Sequence, residues 1–295
     1  MVRPHNPASR LLAAMILAAS PAILPTPASA ESAPDLDQLT AQQAAADICA
    51  GRITSQALVS AALARAKAKA NLNAFVTLDE AGAMKAAATF DATHRRGKNC
   101  KPLGGVPVVV KDNTEVAGLP TSAGTPALKG YVPKQDAPVV EKLRATGAII
   151  IGKTNMHELA FGISGYNGAF QTGPEPGVRN AYDATRIAGG SSSGTAAAIG
   201  ARIVTAGLGT DTGASVRLPC ALNGCSSLRP TVGRYPQGGI APISHTRDTP
   251  GPMASTMADV AILDRAIAGG AAIAPATLKD VRIGSSAACS PISTA

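Results

Sequence analysis

The chain has 295 residues, of which 45% are hydrophobic, 16% charged and 3% aromatic, and its formal net charge is +8. A basic balance can indicate binding to nucleic acid or anionic lipid. However, no run of lysine and arginine exceeds two neighbours, and aromatic residues that could stack on bases are scarce. We therefore predict a soluble basic protein with no nucleic-acid partner.

Residues 1–30 have the pattern of a secretory signal peptide. Two arginines precede the apolar run LLAAMILAA at 11–19, and Ala28–Ala30 follows as a small-residue cleavage site. This run is too short to span a bilayer, which takes about 20 apolar residues. We expect cleavage after Ala30, export to the periplasm or the medium, and no stable membrane span afterwards. The remaining 265 residues (295 − 30) carry a net charge of +6 (27 − 2 basic and 19 acidic residues) and suffice for one sizeable domain.

Downstream of this segment, helical and extended patterns alternate. The expected elements are helices at 36–50 and 54–70, a strand at 73–78, a helix at 79–96, a strand at 106–110, a helix at 136–146, a strand at 148–151, a Gly-rich loop at 162–190, a helix at 192–201, a strand at 203–208, a loop through Ser215 and a helix at 256–268. Such alternation predicts a layered α/β fold, in which helices flank a mixed sheet with a largely parallel core.

The five cysteines leave an odd count. Because export permits disulfides, Cys49 and Cys100 can link a helix to a loop. Cys220 and Cys225 lack CxxC spacing and have no histidine nearby, which argues against a metal site. We expect this second pair to be small buried side chains.

Two short motifs suggest other functions. Gly147–Thr154 matches the phosphate-loop pattern GxxxxGK[ST], but its Ala-Ile-Ile-Ile belongs in a buried strand and cannot wrap a phosphate. Gly190–Gly194 matches the GxSxG elbow, which requires a hydrophobic strand before it; here the preceding residues are polar and turn-like. Of the histidines, His245 lies downstream in a Pro-rich loop, and His157 upstream is expected on a helix face with a structural role. An α/β-hydrolase is therefore a weak alternative.

The Ser- and Gly-rich segment 187–217 contains no histidine, and Asp211 is its only carboxylate. A serine hydroxyl is a poor nucleophile until a base takes its proton. Lys111 follows the apolar run VPVVV, where burial would lower its pKa from about 10.4 towards neutrality, unless the adjacent Asp112 points the same way. Small residues at 209–215 allow backbone N–H groups to converge on an oxyanion. These features predict a serine hydrolase with a lysine base.

Four ordered motifs between about Leu103 and Pro230 resemble the amidase signature family; they are PLGGVPVVVKDN, GAIIIGKTNMHELAFG, AGGSSSGTAAAIGAR and GLGTDTGASVRLPCALNG. The resemblance implies amide hydrolysis by a Ser–cis-Ser–Lys triad without a metal or organic cofactor. It assigns Lys111 as the base, Ser191 as the cis-serine and Ser215 as the nucleophile.

The same resemblance implies roles for neighbouring residues. Backbone N–H groups would form the oxyanion hole, at Thr212, Gly213, Ala214 and Ser215. Asp211 and Arg217 would brace this loop through charge-assisted hydrogen bonds. Ser192 either supports Ser191 or begins the following helix.

The chain departs from the family pattern in two places. Ala214 replaces the second glycine of the usual Gly-Gly-Ser, and alanine tolerates positive φ poorly. Family members are also considerably longer. LKDVRIG at 278–284 resembles the strand that opens their second half, and 285–295 is a small polar tail. We therefore expect a signal peptide at 1–30, the N-terminal portion of a catalytic domain at 31–284 and an irregular tail.

The motifs look most like the indoleacetamide and mandelamide hydrolases of this family. We therefore expect a small aryl or alkyl carboxamide as the substrate, with release of ammonia, and a homodimer as the assembly. A peptide C-terminal amidase is the second possibility. A truncated inactive remnant or a non-catalytic binding protein is the alternative of a different class.

Overall fold

The computed structural model describes residues 34–94, 96–171 and 177–270, together with Met1 and Lys279. The chain divides into residues 1–31 and one compact unit of residues 32–295. The predicted signal peptide apart from Met1, the tail at 285–295, and 278–284 apart from Lys279 lie outside the described residues. Within the described ranges, no helix is both long enough and apolar enough to cross a membrane.

Seven α-helices and six strands are present in the described ranges. The helices are α1 Ala41–Cys49, α2 Ser55–Ala68, α3 Glu80–Thr93, α4 Pro138–Ala145, α5 Ser193–Gly200, α6 Arg217–Asn223 and α7 Met257–Ala268. The strands are β1 Phe75–Leu78, β2 Pro107–Lys111, β3 Ile149–Thr154, β4 Ala206–Asp211, β5 Ser226–Ser227 and β6 Thr249–Ala254.

The six strands form one mixed sheet in the order β1-β3-β2-β4-β6-β5. The three central strands, β3, β2 and β4, are parallel. Antiparallel pairs join β1 to β3, β6 to β4 and β5 to β6. The predicted mixed α/β fold with a parallel core is therefore confirmed, and its outer strands are antiparallel.

Alternation along β2 assigns its side chains to two helical layers. Val108 and Val110 pack in the cluster that includes α1, α4 and α7. Val109 packs in the other cluster, with α2, α3 and α5. Because successive side chains of a strand point to opposite faces, Lys111 lies on the Val109 side and Asp112 on the opposite side.

Three elements were not predicted: α6, the two-residue strand β5 and β6. Helix α6 follows the loop through Ser215, and β6 has the sequence TPGPMA, whose prolines argue against an internal strand. The Pro252 carbonyl accepts a hydrogen bond from the Leu228 N–H at 3.1 Å, on the side of the two-residue strand β5. The missing proline N–H groups therefore face this short strand, and the ladder between β4 and β6 is kept. Strand β4 also runs three residues later than expected, to Asp211.

The cysteine pairing is confirmed in one case and wrong in the other. Cys49 and Cys100 form the expected disulfide. Cys220 and Cys225 are also disulfide-bonded, with their Cα atoms 4.5 Å apart, rather than being separate buried thiols. The pair forms because Gly224 ends α6 with a φ of +65° and turns the chain back, so that the Cys225 N–H reaches the Cys220 carbonyl at 3.0 Å.

Candidate active site

The carboxyl ends of two parallel strands position the candidate catalytic groups. Lys111 is the last residue of β2, and Asp211 is the last residue of β4. Ser191 lies two residues before α5, and Ser215 lies in the loop between β4 and α6. Since ligands bind beyond the carboxyl ends of parallel strands in open α/β sheets, this edge is the expected place for a reaction site.

Lys111 is fully buried and contacts the first serine directly. Its Nζ donates to Ser191 Oγ and to Thr210 Oγ1, each at 2.7 Å. Burial lowers the pKa of Lys111 to about 7, although the negative charges of Asp211 and Asp248 act in the opposite direction. A large fraction of this amine is therefore neutral near pH 7 and can accept a proton.

Asp112, the sequence neighbour of Lys111, does not oppose this shift at close range. On the other face of the sheet, its carboxylate accepts from Ser122 Oγ at 2.5 Å and lies 3.3 Å from Lys153 Nζ. Lys153 is itself buried in β3, which confirms that the phosphate-loop match is a strand. Burial lowers the pKa of Lys153 to about 8, with Asp112 acting against the shift.

The two serines before α5 have different surroundings. The peptide bond between Gly190 and Ser191 is cis, as the family resemblance implied for this serine. Ser192 immediately precedes α5, and its hydroxyl donates to the Thr210 carbonyl and accepts from the Thr210 N–H, both at 3.2 Å. It therefore joins the start of α5 to β4. The Ser192 N–H donates to the Ser215 carbonyl at 3.2 Å and so brings the two serine segments together.

We call residues 212–216 the nucleophile loop. In this loop, one of the four predicted oxyanion donors, the Ala214 N–H, is not free. The Ala214 N–H donates to Asp211 Oδ1 at 2.8 Å and is already used, because the carboxylate of Asp211 folds back over the loop. The N–H groups of Thr212, Gly213 and Ser215 have no hydrogen-bond partner among the residues that the structure describes. Ala214 has a φ of +93°. This positive φ is disfavoured for alanine, which here stands where the family pattern has glycine.

Asp211 braces the nucleophile loop, as predicted. Its carboxylate accepts from Arg217 Nε at 3.1 Å and from the Val216 N–H at 3.2 Å. Arg229, which the sequence did not single out, adds a contact of 3.0 Å from Nη1 to Oδ1. Burial alone would raise the pKa of Asp211, but the hydrogen bonds from Arg217 and from the loop N–H groups bring it below its ordinary value. The carboxylate therefore stays charged and holds the loop.

A pocket of about 260 Å³ adjoins the site through Thr210, the residue that accepts from Lys111 Nζ, and was not predicted. Its wall is mostly the segment 237–250, and Thr210 and Thr212 of the site also line it. Asp248 in this wall accepts from Thr212 Oγ1 at 2.5 Å. Sequence patterns missed this segment because it is irregular and rich in proline and glycine, with no helical or alternating period.

Neither histidine considered in the sequence has its imidazole bonded to a serine of residues 190–194 in the described structure. His157 Nδ1 lies 3.2 Å from Ser164 Oγ, and His245 is exposed at the pocket. No strand of the described sheet leads into the GxSxG match. The arrangement lacks the features of an α/β-hydrolase elbow.

Comparison with known proteins gives a consistent set of similarities. The profile of the family called Amidase matches residues 57–284. Mandelamide hydrolase from Pseudomonas putida is 51% identical over 247 residues, which is 84% of this chain and 49% of that protein. Indoleacetamide hydrolase from Rhizobium radiobacter is 46% identical over 228 residues, or 77% of this chain and 47% of that protein. The chain thus spans about half the length of these curated relatives.

Solved structures give the same result for the fold. Native peptide amidase from Stenotrophomonas maltophilia superposes with a TM-score of 0.73 at 38% identity, covering 79% of this chain and 48% of that one. A structure described as an amidase has a TM-score of 0.72 at 42% identity, covering 78% and 52% of the two chains.

Proposed function

The chain belongs to the Amidase family, and on that premise we propose that it hydrolyses an amide bond, with Ser215 as the nucleophile, Ser191 as the proton relay and Lys111 as the base. The supporting observation is the buried contact of 2.7 Å between Lys111 Nζ and Ser191 Oγ, at a lysine whose pKa burial lowers to about 7. A protonated lysine could not accept the serine proton, so the lowered pKa is what makes this assignment chemically workable.

In the proposed mechanism, Lys111 takes the proton of Ser191 as Ser191 takes that of Ser215, whose oxygen attacks the amide carbon. The resulting oxyanion accepts hydrogen bonds from free N–H groups of the nucleophile loop, for which Thr212, Gly213 and Ser215 are available. The C–N bond then breaks, and the nitrogen leaves with a proton returned through Ser191. Water, deprotonated by the same relay, releases the acid from the acyl-enzyme. No step calls for a metal or organic cofactor.

For the substrate, we favour a small aryl or alkyl carboxamide that releases ammonia, because mandelamide hydrolase is 51% identical over the shared region. The similarity to a peptide amidase supports a peptide C-terminal amide as the second candidate. The pocket volume of about 260 Å³ is slightly below the roughly 300–1,000 Å³ of typical ligand sites and suits a small substrate. Export after cleavage at Ala30 and homodimer formation remain part of this proposal.

The test is labelling with a fluorophosphonate probe, which reports an activated serine whatever the substrate. The purified chain is treated with the probe and its intact mass is measured, with peptide mapping to locate the adduct. We expect one adduct on Ser215 in the parent and none in Ser215→Ala. Ser60→Ala, at an exposed position of α2, is the matched control and should label as the parent does.

An unlabelled parent that is folded by circular dichroism would contradict the proposal. The chain would then be an inactive remnant or a non-catalytic binding protein. An adduct that persists in Ser215→Ala would show that another serine is activated.

A further inference from the structure

Helix α6 follows the nucleophile loop, and its last residue, Asn223, contacts the chain that precedes the cis-serine. The Asn223 side chain is fully buried. Its Nδ2 donates to the Ala188 carbonyl at 2.7 Å and to the Pro219 carbonyl within α6 at 2.8 Å. Its Oδ1 accepts from the Ala181 N–H at 3.0 Å. Asn223 therefore joins α6 to two points of the chain before Ser191.

Residues 188–192, which we call the relay segment, also pack closely on α6. A Cβ built on Gly189 would lie 2.9 Å from Leu222 Cδ1 and 3.2 Å from Pro219 Cα. Gly189 also has a φ of +76°, which glycine adopts without a steric penalty. The absence of a side chain at this position therefore lets the relay segment lie against the helix that follows the nucleophile.

Helix α5 packs against the same asparagine from a second side. A Cβ built on Gly200 would overlap the Asn223 carbonyl oxygen and would lie 3.1 Å from Asn223 Cβ. Helix α5 begins two residues after Ser191, and α6 begins two residues after Ser215. The helices that follow the two serines therefore meet at Asn223.

Resting on the proposed function, we propose that Asn223 is a positioning residue that holds the relay serine, Ser191, in line with the nucleophile, Ser215. The relay segment already meets the nucleophile loop at one point, where the Ser192 N–H donates to the Ser215 carbonyl at 3.2 Å. One attachment fixes a distance and leaves rotation about it free. The second attachment, between Ala188 and Asn223, fixes the orientation as well.

Proton transfer between the two serine hydroxyls depends on this alignment. Their oxygens must come within about 2.6–3.2 Å of each other, and a displacement of about 1 Å can reduce a rate by about 100-fold. Ala188 is fully buried, and its carbonyl has no other hydrogen-bond donor among the described residues. Without the Asn223 amide, this carbonyl would be unpaired in the interior, which is costly. The relay segment would then move to a new position.

The test measures the labelling of Ser215 by the fluorophosphonate probe over a range of probe concentrations, which separates the maximal rate constant from the half-saturating concentration. Asn223→Leu removes the hydrogen bonds of the amide. We expect its maximal rate constant to fall by about tenfold or more with an unchanged half-saturating concentration, because the probe still binds while the relay is displaced. The pH at which labelling rises should remain near 7, because Lys111 keeps its own contacts.

Asn180→Leu is the matched control. Asn180 is also buried, and its Nδ2 donates to the Leu222 carbonyl at 2.6 Å, at the same end of α6. None of its hydrogen bonds in the described structure reaches the relay segment. We expect this variant to lose stability and to label at the parent's rate. Equal slowing in both leucine variants overturns the inference, as does a shifted pH dependence in Asn223→Leu.

A second pair of variants changes the same contact from the relay segment and decides the question if Asn223→Leu does not fold. Gly189→Ala displaces the segment from α6. Gly118→Ala is its control, because Gly118 has a φ of +77° and no described atom beyond its chain neighbours lies within 4 Å of a Cβ built on it. Both variants carry the same backbone penalty, but only Gly189→Ala should slow labelling.

Labelling of the parent separates the two proposals. A labelled parent whose Asn223→Leu and Gly189→Ala variants label at the parent's rate overturns the positioning role of Asn223 alone. A folded parent that takes no label overturns the proposed function, and this inference with it.

Discussion

At the scale of single residues, one substitution leaves a conformational cost in the nucleophile loop. Ala214 has a φ of +93°, where an L-residue with a Cβ is disfavoured. Its N–H is nevertheless held by Asp211 at 2.8 Å, so the surrounding hydrogen bonds keep the conformation. The loop therefore retains its geometry and loses stability at this position.

Replacing Ala214 by glycine should raise the free energy of unfolding by about 1 kcal/mol, because glycine removes the left-handed penalty but adds unfolded-state entropy. Urea denaturation measures the change. The matched control is Ala64→Gly, at an exposed position inside α2, where the same substitution should destabilise the protein by about 1 kcal/mol. Equal effects at both positions would mean that φ at Ala214 carries no cost.

The residue scale is also where the sequence was most informative. Lys111 and Ser191 belong to two of the four motifs that resemble the family. Lys111 Nζ and Ser191 Oγ lie 2.7 Å apart, although the two residues are 80 positions apart in the chain. The hydrogen bond from the Ala214 N–H to Asp211 could not be predicted from the sequence, since it depends on the orientation of the Asp211 side chain. Asp248 lay in no recognised pattern, because an irregular segment has no period that would place a side chain.

At the scale of elements, the segment 237–250 connects the pocket wall to the nucleophile loop. Asp248 makes this connection, with Thr212 on one side and the N–H groups of Ile243 and Ser244 on the other. Strand β6 begins at Thr249, directly after this carboxylate, and pairs with β4. The prolines of β6, which argued against a strand in the sequence, thus belong to the strand that follows Asp248 and positions it beside the site.

Asp248→Asn should slow fluorophosphonate labelling about tenfold, because one charged hydrogen bond to the loop is lost. In the parent, labelling should rise with pH through about 7 and then level off, as Lys111 loses its proton. Asp248 raises the pKa of Lys111, so its neutralisation lowers that pKa and moves the rise to lower pH. Rates of adduct formation across the pH range give both quantities.

The other charged groups around Lys111 stay in place in this variant. They are Asp211 on β4, His157 after β3, and the Asp112–Lys153 pair on the opposite face. Asp136→Asn is the control, since Asp136 also accepts from a backbone N–H, that of Ala117 at 2.7 Å. A purely structural role for Asp248 would slow labelling without moving the pH at which it rises.

At the scale of the whole molecule, two disulfides close loops of very different length. Cys49–Cys100 spans 51 residues and joins α1 to the segment before β2, whereas Cys220–Cys225 spans only 5 and closes the end of α6. The location of Cys49 in an expected helix and of Cys100 in a loop suggested the first pair, but the second depends on the turn at Gly224, which the sequence positions do not reveal. Both lie in the one compact unit that contains the site.

Replacing both cysteines of a pair by alanine should lower the free energy of unfolding by about 4 kcal/mol for Cys49–Cys100 and by about 2 kcal/mol for Cys220–Cys225, since longer closed loops restrict the unfolded chain more. Thermal and urea unfolding of the two double variants provide the comparison, and the parent with both disulfides reduced is the reference. A larger loss for Cys220–Cys225 would show that this bond acts through the native α6 rather than through the unfolded chain.

The alternation along β2 has one last consequence. Lys111 and Asp112 are chain neighbours of opposite charge. Because their side chains point to opposite faces of the sheet, the amine contacts Ser191 and the carboxylate contacts Lys153. A shift of pairing by a single residue exchanges the two faces of a strand. The backbone register of five apolar residues, rather than any polar contact, is therefore what makes this edge of the sheet present a base to the serines instead of an acid.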